Sequence, residues 1–327
     1  MIIAKTPIRI SFAGGGSDLH SFYKNQLGAV VSTTIDKYIF VTVNKNFDAG
    51  VKLKYSKSED VKKVTQLKHN RAKAILNYLK LDGGLEISSL ADIPSKGTGL
   101  GSSSSFTVAL LHALHTYKQE YASPEQLAQE ACRIEIDILK EPIGKQDQYA
   151  AAYGGLNFIQ FNPDKSVFVD PIICKQETIL KLEGNLLILF TGITRSASSI
   201  LSSQKKNMET ETKKTQIMKK MVALARDLKN ELQKNNVEVF GQILHENWLL
   251  KKEMASGISN DKIDYWYNKA MKAGATGGKL LGAGGGGFLL FYAPKEKHDA
   301  IKRSLKSLRP LDFKFDYQGS KIIFIHD

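Results

Sequence analysis

The stretch Pro94-Ser-Lys-Gly-Thr-Gly-Leu-Gly-Ser-Ser-Ser-Ser105 constrains this chain more than any other. Alternate glycines, Gly97, Gly99 and Gly101, lead into a run of serines, and the apolar run Phe106–Leu114 follows at once. Glycine allows backbone angles and close approaches that other residues cannot make. Serine caps helices, because its hydroxyl takes up an orphan backbone N–H. The stretch therefore predicts a tight loop opening into a helix N-terminus. Unpaired N–H groups and the positive end of the helix dipole make such a terminus an anion site suited to phosphate. A plain flexible loop before a well-capped helix is the competing reading. No Gly-Lys-Ser/Thr closes the loop as in a Walker A motif, and the glycine spacing is not that of a dinucleotide fingerprint.

The chain has 327 residues, enough for two domains, and its 42% apolar content can bury a real core. No window approaches a membrane span, and Met1-Ile-Ile-Ala-Lys-Thr-Pro7 lacks a signal-peptide layout. Cys132 and Cys174 are too few and too far apart for a disulfide framework or zinc site. These features lead us to expect a cytoplasmic protein with no membrane partner. The net charge of +13 points to an anionic partner, phosphorylated small molecules or nucleic acid. Much of it lies in solvated helical stretches such as Lys213–Lys220, and no aromatic-rich basic strip supports nucleic acid.

Strand patterns dominate the first hundred residues. Ile2–Phe12 runs into the turn Ala13-Gly-Gly-Gly-Ser-Asp18, which would deliver Arg9 and Asp18 to one end of a sheet. Asp18 could equally be a helix cap. Ala29–Ile35 and Tyr38–Val43 read as two strands around a turn at Asp36-Lys37. Asn70–Leu81 has a helical stripe, and Ser123-Pro-Glu opens a helix that carries Glu130 and Glu135. Asp147 follows in the loop Gly144-Lys-Gln-Asp-Gln148, as a reachable carboxylate or as a cap. Leu156–Asn162 and Val167–Val169 form a hairpin pattern. Leu186–Phe190 is a strand that leads to Arg195, either an anion binder or a partner for a nearby acid. One long helix is expected from Ile200 to about Lys234, then helices over Val237–Leu250 and Asp261–Ala273. A second glycine cluster, Gly282–Gly287, enters a strong strand, and Ile322–Ile325 is a last strand. The change from strands to helices places a domain boundary near Glu177–Glu183.

In order, Pro7–Asp18, Pro94–Ser105, Gly144–Gln148 and Leu281–Phe288 resemble the motifs of the GHMP kinases, the family of galactokinase, homoserine kinase, mevalonate kinase and phosphomevalonate kinase. The match spans almost the whole chain. Ala13-Gly-Gly-Gly-Ser-Asp18, Lys145 and Thr191-Gly-Ile-Thr-Arg195 make it most similar to the sugar kinases of D-glycero-D-manno-heptose 7-phosphate. The Gly-Glu-His-Thr-Asp-Tyr of galactokinase is absent.

The resemblance implies an α+β fold in two domains: residues 1–180, with a left-handed βαβ-type arrangement, and a ferredoxin-like domain, 181–327. It implies an ATP-dependent sugar kinase making the 1,7-bisphosphate for nucleotide-activated heptose. ATP would be held by Gly97, Gly99, Leu100, Gly101, Ser102, Ser103 and Ser104. Mg²⁺ would lie between Ser103 or Ser104 and Glu135, with Glu130 as the fallback. Asp147 and Arg9 would be catalytic. Gly15, Gly16, Ser17, Asp18, Gly285 and Gly286 would hold the sugar, and Lys145 and Arg195 its phosphate. A homodimer is compatible with this picture. A kinase for an unphosphorylated sugar such as fucose, and a non-catalytic sugar-binding regulator, are the alternatives.

Overall fold

The N-terminal β run folds as a single strand, Ile2–Ala13, paired antiparallel with an 18-residue strand, Gly28–Lys45. The computed structural model describes residues 1–94, 97–194 and 197–326. Where a turn was expected at Asp36-Lys37, the long strand runs straight through with a bulge. Pairing steps from Pro7 opposite Tyr38 to Ile8 opposite Ile35. Proline has no N–H to give the ladder, so pairing breaks beside it. The bulge is held from outside: Asp36 N donates to Lys314 O, and Lys314 N donates to Asp36 Oδ1, both at 2.9 Å.

Three strands queue along the other edge of Gly28–Lys45. Asn157–Phe161 takes its first part, Phe315–Asp316 its middle and Leu85–Ala91 its far end. The C-terminal strand Lys321–Ile325 pairs with the outer edge of Ile2–Ala13. Every residue from Gly28 to Ile35 is buried, as in a strand covered on both faces. Helix Ser102–Tyr117 packs on the two central strands, and so does helix Thr212–Gln233.

A second sheet holds Arg309–Leu311, Leu186–Phe190, Phe288–Tyr292 and Gly277–Leu280 in that order, all antiparallel. Helix Phe240–Lys252 packs against its Gly277–Leu280 strand. The expected α+β architecture is present. The stretch Glu177–Glu183 lies inside a helix, Gln176–Asn185. The last strands return to the first sheet, so the second sheet is an excursion between strands of the first. The helix expected from Ile200 to Lys234 is two helices, Ala197–Thr210 and Thr212–Gln233, broken at Glu211, whose backbone is extended.

The two sheets meet where the two glycine clusters touch. Gly99 and Gly282 both have left-handed backbones, with φ of 78° and 80°. A Cβ on Gly282 would overlap the Gly99 Cα, and one on Gly99 would overlap the Leu281 carbonyl. The contact is thus backbone against backbone, which other residues would wedge apart. Gly282→Ala should cost about 1–3 kcal/mol from the unfavourable φ alone. A denaturant midpoint unchanged from that of the parent chain would show that this contact does not hold the sheets together.

Candidate active site

The cleft at that junction has a volume of about 660 Å³ and takes its walls from both sheets. Its floor is the glycine–serine loop. Gly97, Gly99 and Gly101 all have left-handed φ, between 68° and 78°, while Thr98 and Leu100 do not. Such alternation turns successive N–H groups toward one concavity, a nest for anions. Gly101 is the cap of helix Ser102–Tyr117, whose N-terminus opens into the cleft.

Arg9 and Asp147 form the centre of the cleft. Arg9 Nε donates to Asp147 Oδ1 at 2.8 Å, and Nη2 lies 2.7 Å from the same oxygen. Arg9 Nη1 donates to Gly99 O at 2.7 Å, and Arg9 N to Leu100 O at 3.1 Å. One residue therefore fixes the loop and orients the carboxylate. The guanidinium is 5% exposed and the carboxylate 26%, so Asp147 keeps a face open to the cleft. A Cβ on Gly101 would lie 3.3 Å from Asp147 Oδ2, so the carboxylate stands against the loop itself.

Asp18 is buried beside them. Its carboxylate accepts from Gly16 N at 2.9 Å, Gln146 Nε2 at 3.0 Å and Gln146 N at 3.2 Å. Burial first, and then the charge of Asp147, push its pKa up. Behind the serines lies Glu135, fully buried on a π-helical turn, Arg133–Ile138. Ser104 Oγ donates to it at 2.7 Å, Thr107 Oγ1 at 2.6 Å and Gln148 Nε2 at 2.5 Å. Arg71 Nε is 3.1 Å away, although its N–H is not aimed along a hydrogen bond. Burial pushes the Glu135 carboxyl up, against the pull of Arg71.

Among the described residues, no three His, Cys, Asp or Glu side chains cluster as a metal site. Magnesium needs no such cluster, because it takes one or two carboxylates and completes its shell with phosphate oxygens and water. The Ser104–Glu135 contact at the loop is a donor set of that kind. Glu130, the fallback, points elsewhere: it is 2.6 Å from His115 Nε2.

The expected residues divide as follows. Arg9, Gly15, Gly16, Asp18, Gly97, Gly99, Gly101, Ser102, Ser103, Ser104, Asp147 and Gly286 line the cleft. Ser17, Leu100, Glu135 and Gly285 support its walls. Ser17 Oγ donates to Gly14 O at 2.8 Å, and Gly285 N donates to Ile258 O at 3.0 Å. Lys145 is not brought to the cleft. It caps helix Gln146–Tyr153, and positions two apart on a helix do not face each other. Its ammonium instead donates to Lys165 O at 2.9 Å and lies over the Tyr23 ring. Arg195 lies outside the described residues. The wall residues that were not anticipated include Asn247, Lys251 and Lys279. Lys251 had a signal, since it continues the buried stripe Phe240, Leu244, Asn247 of its helix.

Residues 66–155 match the GHMP kinases N terminal domain, and 228–310 match GHMP kinases C terminal. A D-glycero-alpha-D-manno-heptose 7-phosphate kinase of Campylobacter jejuni is 31% identical over 98% of both chains. The chain belongs to the GHMP kinases. Among solved structures, this GHMP kinase is similar to a D-glycero-D-manno-heptose 1-phosphate kinase from Bacteroides thetaiotaomicron, with a TM-score of 0.83, 26% identity and full coverage of both chains. It shares its fold with Lactococcus lactis galactokinase, at a TM-score of 0.78 and 17% identity over 98% and 94% of the two chains. It is a phosphotransferase acting on sugar, and ATP dependence follows from the family. No helix among its described residues is long and apolar enough to cross a membrane.

The Arg9–Asp147 pair is testable as a physical unit. A double-mutant cycle of Arg9→Met and Asp147→Asn should give a coupling of about 0.5–3 kcal/mol in unfolding free energy. Strictly additive single effects would mean that the two groups do not hold one another.

Proposed function

We propose that this GHMP kinase transfers the γ-phosphoryl group of ATP to the anomeric hydroxyl of D-glycero-D-manno-heptose 7-phosphate, giving the 1,7-bisphosphate. The observation that carries this reading is the open face of Asp147, held by Arg9 against the anion nest and helix N-terminus. Phosphoryl transfer needs alignment, charge neutralisation and removal of a hydroxyl proton. The loop from Gly97 to Ser104 supplies the first two for the nucleotide's phosphates. The face of Asp147 open to the cleft would take the proton of an acceptor hydroxyl brought up to it beside the loop. Arg9 orients Asp147 and adds positive charge beside the transferring group. Gly15, Gly16 and Asp18, with Gly286 across the cleft, line the acceptor's side. Ser103 or Ser104 with Glu135 would hold Mg²⁺, which neutralises charge on the nucleotide's phosphates when bound.

The Campylobacter relative's name supports the 7-phosphate as acceptor, whereas the solved Bacteroides protein is named for a 1-phosphate. A second reading, a free-sugar kinase, draws on a bifunctional fucokinase/GDP-fucose pyrophosphorylase of Arabidopsis thaliana, 26% identical over 94% of this chain and 31% of that protein. The displaced Lys145 favours it too.

ADP release measured across a panel of free and phosphorylated sugars separates the two readings, with D-glycero-D-manno-heptose 7-phosphate expected as the best acceptor. Asp147→Asn should lower its turnover by at least about 10²-fold, the scale of general-base loss, with nucleotide binding within about twofold. Near-parental turnover in a folded Asp147→Asn protein would remove Asp147 from the chemistry. A free sugar as best acceptor would favour the second reading.

A further inference from the structure

Two ammonium groups are buried in the cleft wall with no ion pair among the described residues. Lys251, 6% exposed, ends the buried stripe of helix Phe240–Lys252. Its Nζ donates to Gly15 O at 3.1 Å and Gln204 Oε1 at 2.9 Å, and no carboxylate among the described residues forms an ion pair with it. Lys279, 5% exposed, donates to Phe12 O at 3.0 Å and likewise lacks an ion pair among those residues. Carbonyl oxygens only partly offset the cost of taking an ammonium out of water. Burial accordingly pushes the Lys251 ammonium down to about 8. Burial, then Lys251 and Arg9, push Lys279 well down.

The groups around Lys251 are mostly donors. Asn247, one turn earlier on the same helix and also in the cleft wall, spends its Oδ1 on Gly14 N at 3.1 Å. Its Nδ2 is buried with no hydrogen-bond partner among the described residues, and so is Gln204 Nε2. Gly16, with no side chain, lets the Gln204 amide and the Lys251 ammonium pack directly against its backbone. A Cβ there would lie 3.1 Å from Lys251 Nζ and would overlap Gln204 Nε2. The nearby carboxylate, Asp18, already accepts three N–H bonds. Gln146 Oε1, buried with no hydrogen-bond partner among the described residues, suits a sugar hydroxyl.

We propose that Lys251, with Asn247 Nδ2 beside it, binds the phosphate that the acceptor sugar already carries. This rests on the reading of the acceptor as a phosphorylated sugar, and it moves the cation expected at Lys145 to the opposite wall. An incoming phosphate would supply the missing counter-ion, and an ammonium–phosphate hydrogen bond is of the strong, charge-assisted kind. Lys251 touches Gly15 rather than the nucleotide loop, so it discriminates among acceptors and leaves ATP alone.

The test compares D-glycero-D-manno-heptose 7-phosphate with free D-glycero-D-manno-heptose on the parental enzyme, Lys251→Met and Lys251→Gln. Unfolding midpoints establish that the variants fold, and titration calorimetry gives a binding readout independent of turnover. Both variants should weaken binding and raise KM for the 7-phosphate by roughly 10- to 100-fold. The KM values for free heptose and for ATP should stay within about twofold. If the parental enzyme prefers the 7-phosphate and the variants keep that preference, Lys251 is not the phosphate site although the acceptor reading stands. Equal loss for both sugars, or loss for ATP, would overturn the proposal in favour of a structural role. If the parental enzyme itself does not distinguish the two sugars, the acceptor reading fails and this proposal fails with it.

Discussion

A single guanidinium ties the cleft together. Arg9 comes from the strand Ile2–Ala13, its backbone N–H and one side-chain nitrogen grip the glycine–serine loop, and its other nitrogens hold Asp147 on helix Gln146–Tyr153. Three segments far apart in sequence are thereby fixed to within hydrogen-bond tolerance. That fixity is what phosphoryl transfer requires, because misplacing the acceptor oxygen costs more than weakening any one contact. The bulge beside Pro7 belongs to the same design. It breaks the ladder two residues before Arg9, on the strand that delivers Arg9 to the site.

The rest of the site follows from how the second sheet is brought to the first. The strand Gly277–Leu280 places Lys279 in the wall, and the glycines after it rest on the backbone of the glycine–serine loop. Helix Phe240–Lys252 packs on that strand and ends at Lys251. Positive charge therefore enters the cleft from the second sheet at Lys279 and from the first at Arg9. Asp18, a buried carboxylate of the wall, already accepts three N–H bonds.

Much of this was legible before any fold. Glycines at alternate positions ahead of serines mark a loop that must turn sharply and present N–H groups. Arg9, Asp18 and Asp147 each stand at the end of a recognisable pattern, and the motif order carried the family. The failures have definite causes. Asp36-Lys37 is polar between two β runs and so imitates a turn, while the strand partner that holds it, Lys314, is nearly 280 residues away. Lys145 neighbours Asp147 in sequence, but a helix begins between them and turns them apart. Lys251 lay one residue past the expected end of its helix, where a lysine reads as an ordinary solvated terminus. Continuing the apolar stripe by one turn would have shown it facing inward.

The most direct test of the account is the phosphorus spectrum of the product formed from ATP and D-glycero-D-manno-heptose 7-phosphate. The account predicts a second sugar phosphate signal coupled to the anomeric proton, with the original 7-phosphate signal retained and ADP formed in equal amount. A new phosphate on any other carbon, or no ATP consumed with the 7-phosphate when a parallel reaction with free sugar does consume it, would contradict it.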